Sequence, residues 1–311
     1  MPMMLRGLIL SAVLSLFALQ ARAALVCETN IVSLDFGTIS VRDGLPQQTS
    51  GPVTISCFGG TPGTTIQACL TLGSGSGGAA AGQSPRYLTR AGSATLQYQL
   101  SSQNSFSNGG TTWEAVGYAM ALDATGSAMI APTLYAEVTA VGSNAIVGAY
   151  SSHFDAGVDT EISYGALGCD QSDPASAFTV SATLTTSCTI NVSNMDFGVI
   201  DTAIVAPVDQ TATIEVSCTN ASPYTISIGS GLQPADAGAT GRRMANGPNL
   251  LAYGLYHDPS RTSAWGVSPA TVAEGFGTGA YQLLTVYGRI FGNQTMSIGS
   301  YSDSVVVTVT Y

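Results

Sequence analysis

Two cysteine pairs, each framing an Asp-Phe-Gly triplet, restrict this chain more than any other feature. Cys27 is followed eight positions on by Asp35-Phe36-Gly37 and thirty positions on by Cys57. Cys188 is followed at the same spacings by Asp196-Phe197-Gly198 and by Cys218, so one offset of 161 positions relates the two sets. The match extends beyond the cysteines. Residues 70–75 (LTLGSG) parallel 226–231 (ISIGSG), and 96–100 (LQYQL) parallel 251–255 (LAYGL). Trp113 falls near the level of Trp265, Tyr135 near Tyr287, and Tyr150 near Tyr301. The chain is an internal duplication of whole domains, and any fold proposed for one copy must serve both.

Short stretches that alternate apolar and polar residues, bounded by Gly, Pro, Asn and Ser, fill both copies. Val53-Thr54-Ile55-Ser56 and Ile214-Glu215-Val216-Ser217 are examples. Period-two alternation is the signature of half-buried antiparallel strands. About seven strands in roughly 130 residues per copy predict an all-β chain of two immunoglobulin-like β-sandwich domains. A closed barrel is the alternative fold.

The first residues read as a secretory signal: Arg6, an apolar run from Gly7 to Leu19, and the small-x-small site Ala21-Arg22-Ala23. The apolar run is short for a membrane span, which is the competing reading. Cleavage after Ala23 leaves 288 residues starting at Ala24, with seven arginines and no lysine against 19 acidic residues, a net charge of −12. Such a surface is unsuited to nucleic acid or anionic membranes. Export implies an oxidising compartment, where six cysteines are read as disulfides. The repeat itself selects Cys27–Cys57 and Cys188–Cys218, leaving Cys69 to pair with Cys169. No cysteine has metal-type Cys-x2-Cys spacing, and neither His153 nor His257 lies near a nucleophile signature. The expectation is no enzyme, no catalytic residue, no metal and no cofactor.

The final residues 304–311 (SVVVTVTY) place Val305, Val307, Val309 and Tyr311 on one strand face. An apolar edge strand of this kind is an aggregation hazard unless something covers it. Residues 166–177 read as a linker. After it, Phe178, Val180, Ala182 and Leu184 alternate with polar residues just before Cys188, whereas after cleavage only Ala24, Leu25 and Val26 precede Cys27. The expected boundaries are a signal peptide over 1–23, a first domain over 24–185 and a second over 186–311.

Several stretches of the second copy resemble the spore coat protein U domain, the subunit type of archaic (Csu-like) chaperone–usher pili. They are Phe178-Thr-Val-Ser-Ala-Thr, Asp196-Phe197-Gly198, Ala252-Tyr253-Gly254-Leu255-Tyr256 with Asp258, Thr285-Val286-Tyr287-Gly288-Arg289-Ile290, and Gly299-Ser300-Tyr301-Ser302-Asp303. The resemblance covers residues 178–311 and is weaker over 24–165. It implies that the second domain is an incomplete pilin-type sandwich lacking its last strand. A periplasmic chaperone and then a neighbouring subunit would donate that strand during passage through an outer-membrane usher to the cell surface. Val305, Val307, Val309 and Tyr311 would form one wall of the acceptor groove. A mature chain that begins three residues before Cys27 has no strand to donate, which implies the distal end of a fibre: a two-domain tip adhesin. Phe178, Val180, Ala182 and Leu184 would then complete the first domain in cis, returning beside residues 158–164. The alternative is that they simply begin the second domain.

The drifted first copy is where attachment to an abiotic or host surface is expected, since apolar loop tips mark contact surfaces. Phe106, Trp113, Ala128, Met129 and Ile130 are the candidates. Trp113 is equally readable as core, because Trp265 repeats it, and Met129-Ile130 as the start of a strand. A sugar-binding tip lined by Trp113, Asn108 and Asp123 is a second reading, and a non-adhesive coat or minor fibre subunit a third.

Overall fold

The computed structural model describes residues 24–40, 46–80, 84–90, 95–106, 113, 115–200, 203–234 and 241–311. The expected signal sequence, residues 1–23, lies outside these residues.

Every element among the described residues is a strand. The first domain holds β1 (Val26–Ile31), β2 (Leu34–Ile39), β3 (Gln47–Phe58), β4 (Thr65–Leu72), β5 (Arg86–Thr89), β6 (Thr95–Ser101), β7 (Ala115–Ala121), β8 (Ala128–Ile130), β9 (Thr133–Val141), β10 (Gly148–Phe154), β11 (Thr160–Gly165), β12 (Gln171–Pro174) and β13 (Phe178–Leu184). The second holds β14 (Cys188–Val192), β15 (Ala203–Ile204), β16 (Val208–Cys218), β17 (Pro223–Ile228), β18 (Arg242–Asn246), β19 (Asn249–Tyr256), β20 (Ala273–Phe276), β21 (Tyr281–Ile290), β22 (Gln294–Thr295) and β23 (Val307–Thr310). The architecture is the expected pair of β-sandwiches, with strands more numerous than alternation indicated because bends divide them. Long β3 stays one strand but changes partner: residues 47–52 pair with β9, and residues 53–58 pair with β1.

In the first domain a curved nine-stranded sheet (order β1-β3-β9-β6-β5-β10-β13-β2, with β8 on β3) packs with the four-stranded sheet β12-β11-β4-β7. In the second, β14-β16-β21-β19-β18 pack with β20-β17-β23, and β15 pairs with β22. Each domain has its own core. Ile55, Leu70, Leu96, Leu134 and Val180 are fully buried in one, and Ile214, Val216 and Ile226 in the other. These residues occupy alternate strand positions, as a two-residue period with one face buried requires.

Three disulfides brace the domains. Cys27–Cys57 and Cys188–Cys218 join directly opposed residues of β1/β3 and β14/β16, and Cys69–Cys169 ties β4 to the turn between β11 and β12. In each Asp-Phe-Gly triplet the aspartate accepts the glycine N–H, at 3.0 Å for Asp35–Gly37, where the β2 register against β13 shifts, and at 2.8 Å for Asp196–Gly198. Both glycines sit at positive φ, 67° and 74°, a conformation that costs glycine little.

Two expectations change. The stretch 166–177 is not a plain linker, because the Cys169 bridge anchors it and residues 171–174 form β12 against β11. The strand beginning at Phe178 does not return beside residues 158–164, because β12 already occupies that edge of β11. It lies antiparallel to β10 and parallel to β2. The Asp155–Asp159 turn, where the N–H groups of Val158, Asp159 and Thr160 all bond the Asp155 carbonyl, separates β10 from β11 and splits the returning chain into β12 and β13.

Candidate functional site

In the first domain β13 fills a slot between β10 and β2. Seven consecutive positions pair with β10, from Phe178 opposite Phe154 to Leu184 opposite Gly148. On its other edge Val180 is level with Leu34, and Leu184 with Ile39. Phe178, Val180, Ala182 and Leu184 all point inward and are buried, and the Phe178 ring stacks on Phe154 at 4.3 Å between centroids. Polar residues hold the outer edge: the Ser181 hydroxyl donates to Asp35 at 3.0 Å, and the Thr179 N–H to Ser33 at 3.0 Å.

The second domain builds the same slot. Residues 195–200 correspond to β2 through the Asp-Phe-Gly triplet, and residues 299–305 correspond to β10. That second match is anchored by Gly148 and Gly299, both at positive φ (138° and 146°), and by Tyr150 and Tyr301. Each tyrosine hydroxyl accepts the N–H four residues upstream, Ile146 at 3.0 Å and Ser297 at 3.1 Å. Among the described residues no strand pairs along 195–200 or between them and 299–305; only the isolated bridge Ala245–Ser302 touches the latter segment.

Between the two segments runs an open trough. One part is about 600 Å³, lined by Met195, Phe197, Tyr253, Asp303, Val305 and Val307 among others, and it continues into a part of about 460 Å³ beside Ile200 and Met296. The copies differ in cover. Leu34, Ile39, Leu88, Tyr150 and Phe154 are buried, whereas the residues in their places, Met195, Ile200, Met244, Tyr301 and Val305, are only half-buried. Methionine has replaced leucine twice, and its flexible thioether adapts to varied neighbours.

Behind each slot lies a buried arginine that donates to three carbonyls. Arg86 reaches Leu72, Gly73 and Trp113 at 2.6–2.9 Å, and Arg242 reaches Ile228, Gly229 and Trp265 at 2.7–2.8 Å. Burial lowers the pKa of Arg242. Burial raises the Tyr253 phenol far above its usual range, and the Asp303 carboxylate that accepts its proton at 2.7 Å adds to the shift.

A second candidate lies at the end of the first domain remote from the second. Asn220 of the second domain donates to the Asn144 carbonyl at 3.2 Å, next to the Leu184 end of β13. From Gln47, level with Val138, β3 runs twelve residues away from that contact to Phe58, roughly 40 Å at about 3.3 Å per residue. Register gathers the other turns there. Phe58 is opposite Val26, Ser56 opposite Met129, and the Gly60 N–H bonds the Gly126 carbonyl at 3.1 Å. Thr65 is level with Ala121, and Gln67 with Gly165, which opens the turn carrying Leu167. Leu167 is 98% exposed, Met129 70% and Phe58 40%, so three large apolar side chains face solvent at one end.

The sequence candidates divide accordingly. Met129 stands at this end. Ala128 and Ile130 flank it but are half-buried, with Ala128 paired to Cys57 and Ile130 to Ile55 on the edge of β3. Trp113 is removed from the surface set: it is fully buried, its indole N–H donates to the Leu70 carbonyl at 3.2 Å, and its own carbonyl binds Arg86. That also takes Trp113 out of the sugar pocket, whose Asn108 lies outside the described residues. Asp123 is occupied by its own turn, accepting from Thr125 and Ser127, and these bonds lower its pKa. Phe106 is half-buried beyond β6, whose end is level with Tyr135 midway along the domain. Of the groove set, Val305 and Val307 line the trough, and Val309 pairs with Ile226 and packs on the core. Tyr311 lies beyond the last paired residue, is 47% exposed and is no wall of the trough. Phe58, Leu167, Met195, Met244 and Asp303 were not singled out for these sites by the sequence. The alternation of 195–200 with their counterparts 34–39 was the available signal for the groove.

A model of the Spore Coat Protein U domain matches the chain twice, over residues 13–156 and 175–308. The chain belongs to the spore coat protein U domain family. The second match begins at residue 175, so sequence groups β13 with the second domain although its hydrogen bonds lie in the first. Protein U of Myxococcus xanthus is 36% identical over 129 residues, 40% of this chain and 72% of that protein. Among solved structures, the fold is similar to the CsuC–CsuE chaperone–tip adhesion subunit pre-assembly complex from archaic chaperone–usher Csu pili of Acinetobacter baumannii. The TM-score is 0.51, with 17% identity over 92% of this chain and all of the matched one. The CupB6 tip adhesin of Pseudomonas aeruginosa matches at a TM-score of 0.34, with 11% identity over 92% of this chain and 94% of that one.

Proposed function

We propose that this chain is an exported pilus subunit of the chaperone–usher type, acting as a two-domain tip adhesin. The second domain joins the fibre by accepting an extended strand from a neighbouring subunit, and the remote end of the first domain meets a surface. One observation carries the reading. The slot that the second domain leaves open is filled in the first domain by β13, a segment that the family match assigns to the following repeat. A strand preceding one repeat and completing the repeat before it is a donor-strand joint made within a single chain. The same joint made between chains would fill the trough at Met195 and Val305, and until then a periplasmic chaperone would shield it. The likeness in fold to a chaperone-bound tip subunit agrees with this.

Phe58, Met129 and Leu167 supply the contact surface. A large apolar side chain contributes about 1.5–3 kcal/mol when fully buried, so three such residues give a modest grip per tip that many fibres multiply. Replacing all three with Gln is expected to lower retention of piliated cells on hydrophobic plastic at least about tenfold while fibre number, counted by microscopy, stays unchanged. Unchanged retention would remove this end as the contact. Assembly is tested separately by producing the exported chain with and without its periplasmic chaperone. Soluble monomer recovered equally well without the chaperone would contradict an open acceptor groove.

A further inference from the structure

We propose that Asp303 makes the acceptor groove of the second domain selective for a donor strand that places a hydroxyl at the position opposite it, in preference to an aliphatic side chain. The inference rests on the acceptor reading above and concerns which strand is accepted.

The filled slot of the first domain gives the register. Val180 of β13 lies opposite Ser152 of β10, both fully buried, and the Ser152 hydroxyl is satisfied within its own domain by the Gly77 N–H at 3.1 Å. A branched aliphatic residue therefore covers a neutral, already bonded hydroxyl at little electrostatic cost. Two residues after Tyr150 comes Ser152; two residues after Tyr301 comes Asp303. The trough thus presents a carboxylate where the filled slot presents a hydroxyl.

The reason for the change lies in the turn that the second copy lacks. In the first domain a carboxylate outside the slot, Asp159 of the Asp155–Asp159 turn, accepts the Gly75 N–H at 3.0 Å. In the second domain Asp303 reaches the equivalent loop, accepting the Leu232 N–H at 2.8 Å one residue past Gly231, the counterpart of Gly75. It also accepts the Ser304 N–H at 2.8 Å and the Tyr253 hydroxyl at 2.7 Å. The loop-tethering carboxylate has moved into the groove wall.

A carboxylate offers about four lone-pair sites, and these bonds use three of them. A strand that closes the trough takes the fourth away from water. Beside Val that acceptor is buried without a partner; beside Thr, which is isosteric, it receives a hydroxyl proton. Leaving a charged acceptor unpaired costs more than losing a neutral bond.

The test uses the full exported chain, released from chaperone, and fluorescent peptides copying residues 176–187. One peptide is native, one carries Val180→Thr, one Val180→Asp, and a control carries Ala182→Thr with Val180 retained. The expected result is that the Val180→Thr peptide binds at least about tenfold tighter than the native one, as one bond to a charged group implies. The Val180→Asp peptide should bind weakest, and the control should show no gain. In the Asp303→Ser chain the preference for Thr over Val should vanish. Equal binding of the Val and Thr peptides to the unmodified chain, or preference for Val, overturns the selectivity while leaving the acceptor groove intact. Failure of every peptide to bind overturns the acceptor groove and the selectivity together. Should Asp303→Ser not fold, the peptide series on the unmodified chain decides alone.

Discussion

Arg86 and Arg242 hold equivalent places in the two domains, and neither advertised its role in the sequence. In a chain whose every basic residue is arginine, a lone arginine beside a proline or a second arginine reads as surface charge, since Arg is rarely buried without a partner. The partners here are carbonyls far along the chain, Leu72 and Trp113 for Arg86, so no local pattern reveals them. The cysteines and tryptophans were legible because spacing repeats them. Even so, Trp113 was readable as either contact or core, and only its bond to the Leu70 carbonyl decides. Arg86→Met keeps the apolar stem and removes the donors, orphaning carbonyls in the core. At about 1 kcal/mol or more for each lost bond, the first domain is expected to lose about 3 kcal/mol, measured as a lowered midpoint in urea. A loss below about 0.5 kcal/mol would mean that water replaces the guanidinium.

Strand β13 shows how much an element's sequence says and where it stops. Its alternation was plain, and the buried set Phe178, Val180, Ala182 and Leu184 follows from a period of two. Its partner was not plain. Alternation tells which face is buried but not against which edge, and β11 was the wrong choice because β12 takes its edge and the Asp155–Asp159 turn divides β10 from β11. The groove of the second domain was half legible for the same reason. Val305 and Val307 lie on a clean alternating run, whereas Gly198 cuts the alternation of Met195 and Phe197 short, so only the match to residues 34–39 marks that segment. Val180→Asp places a carboxylate in a fully buried position, opposite Ser152. Burying an unpaired charge costs several kcal/mol, so the strand should leave its slot. Limited proteolysis should then cut within residues 171–187 much faster than in the unmodified chain. Unchanged protection would show that backbone pairing alone holds β13.

At the scale of the molecule, the two repeats carry one fold in two states of completion, and the difference predicts how each behaves alone. In the first domain Phe178, Val180 and Leu184 cover the slot, at about 1.5–3 kcal/mol for each large side chain. That sum is comparable with the whole stability of an ordinary domain, about 5–15 kcal/mol. The second domain has the same slot without that cover, and its Met195, Met244, Tyr301 and Val305 are half-buried. Residues 24–187 expressed alone in an oxidising compartment should therefore form a monomer with a single cooperative melting transition. On the proposed contact they should also bind hydrophobic plastic as the full chain does, since Phe58, Met129 and Leu167 all lie within them. Residues 186–311 should be recovered as aggregate, or melt well below the first fragment, until a strand-forming peptide is supplied, and then rise to a comparable midpoint. Size-exclusion chromatography and thermal melting of both fragments check this. A second fragment that is monomeric and as stable as the first without any added strand would mean that the trough is closed in solution. The difference in cover between the repeats would then not be what couples this chain to its neighbours.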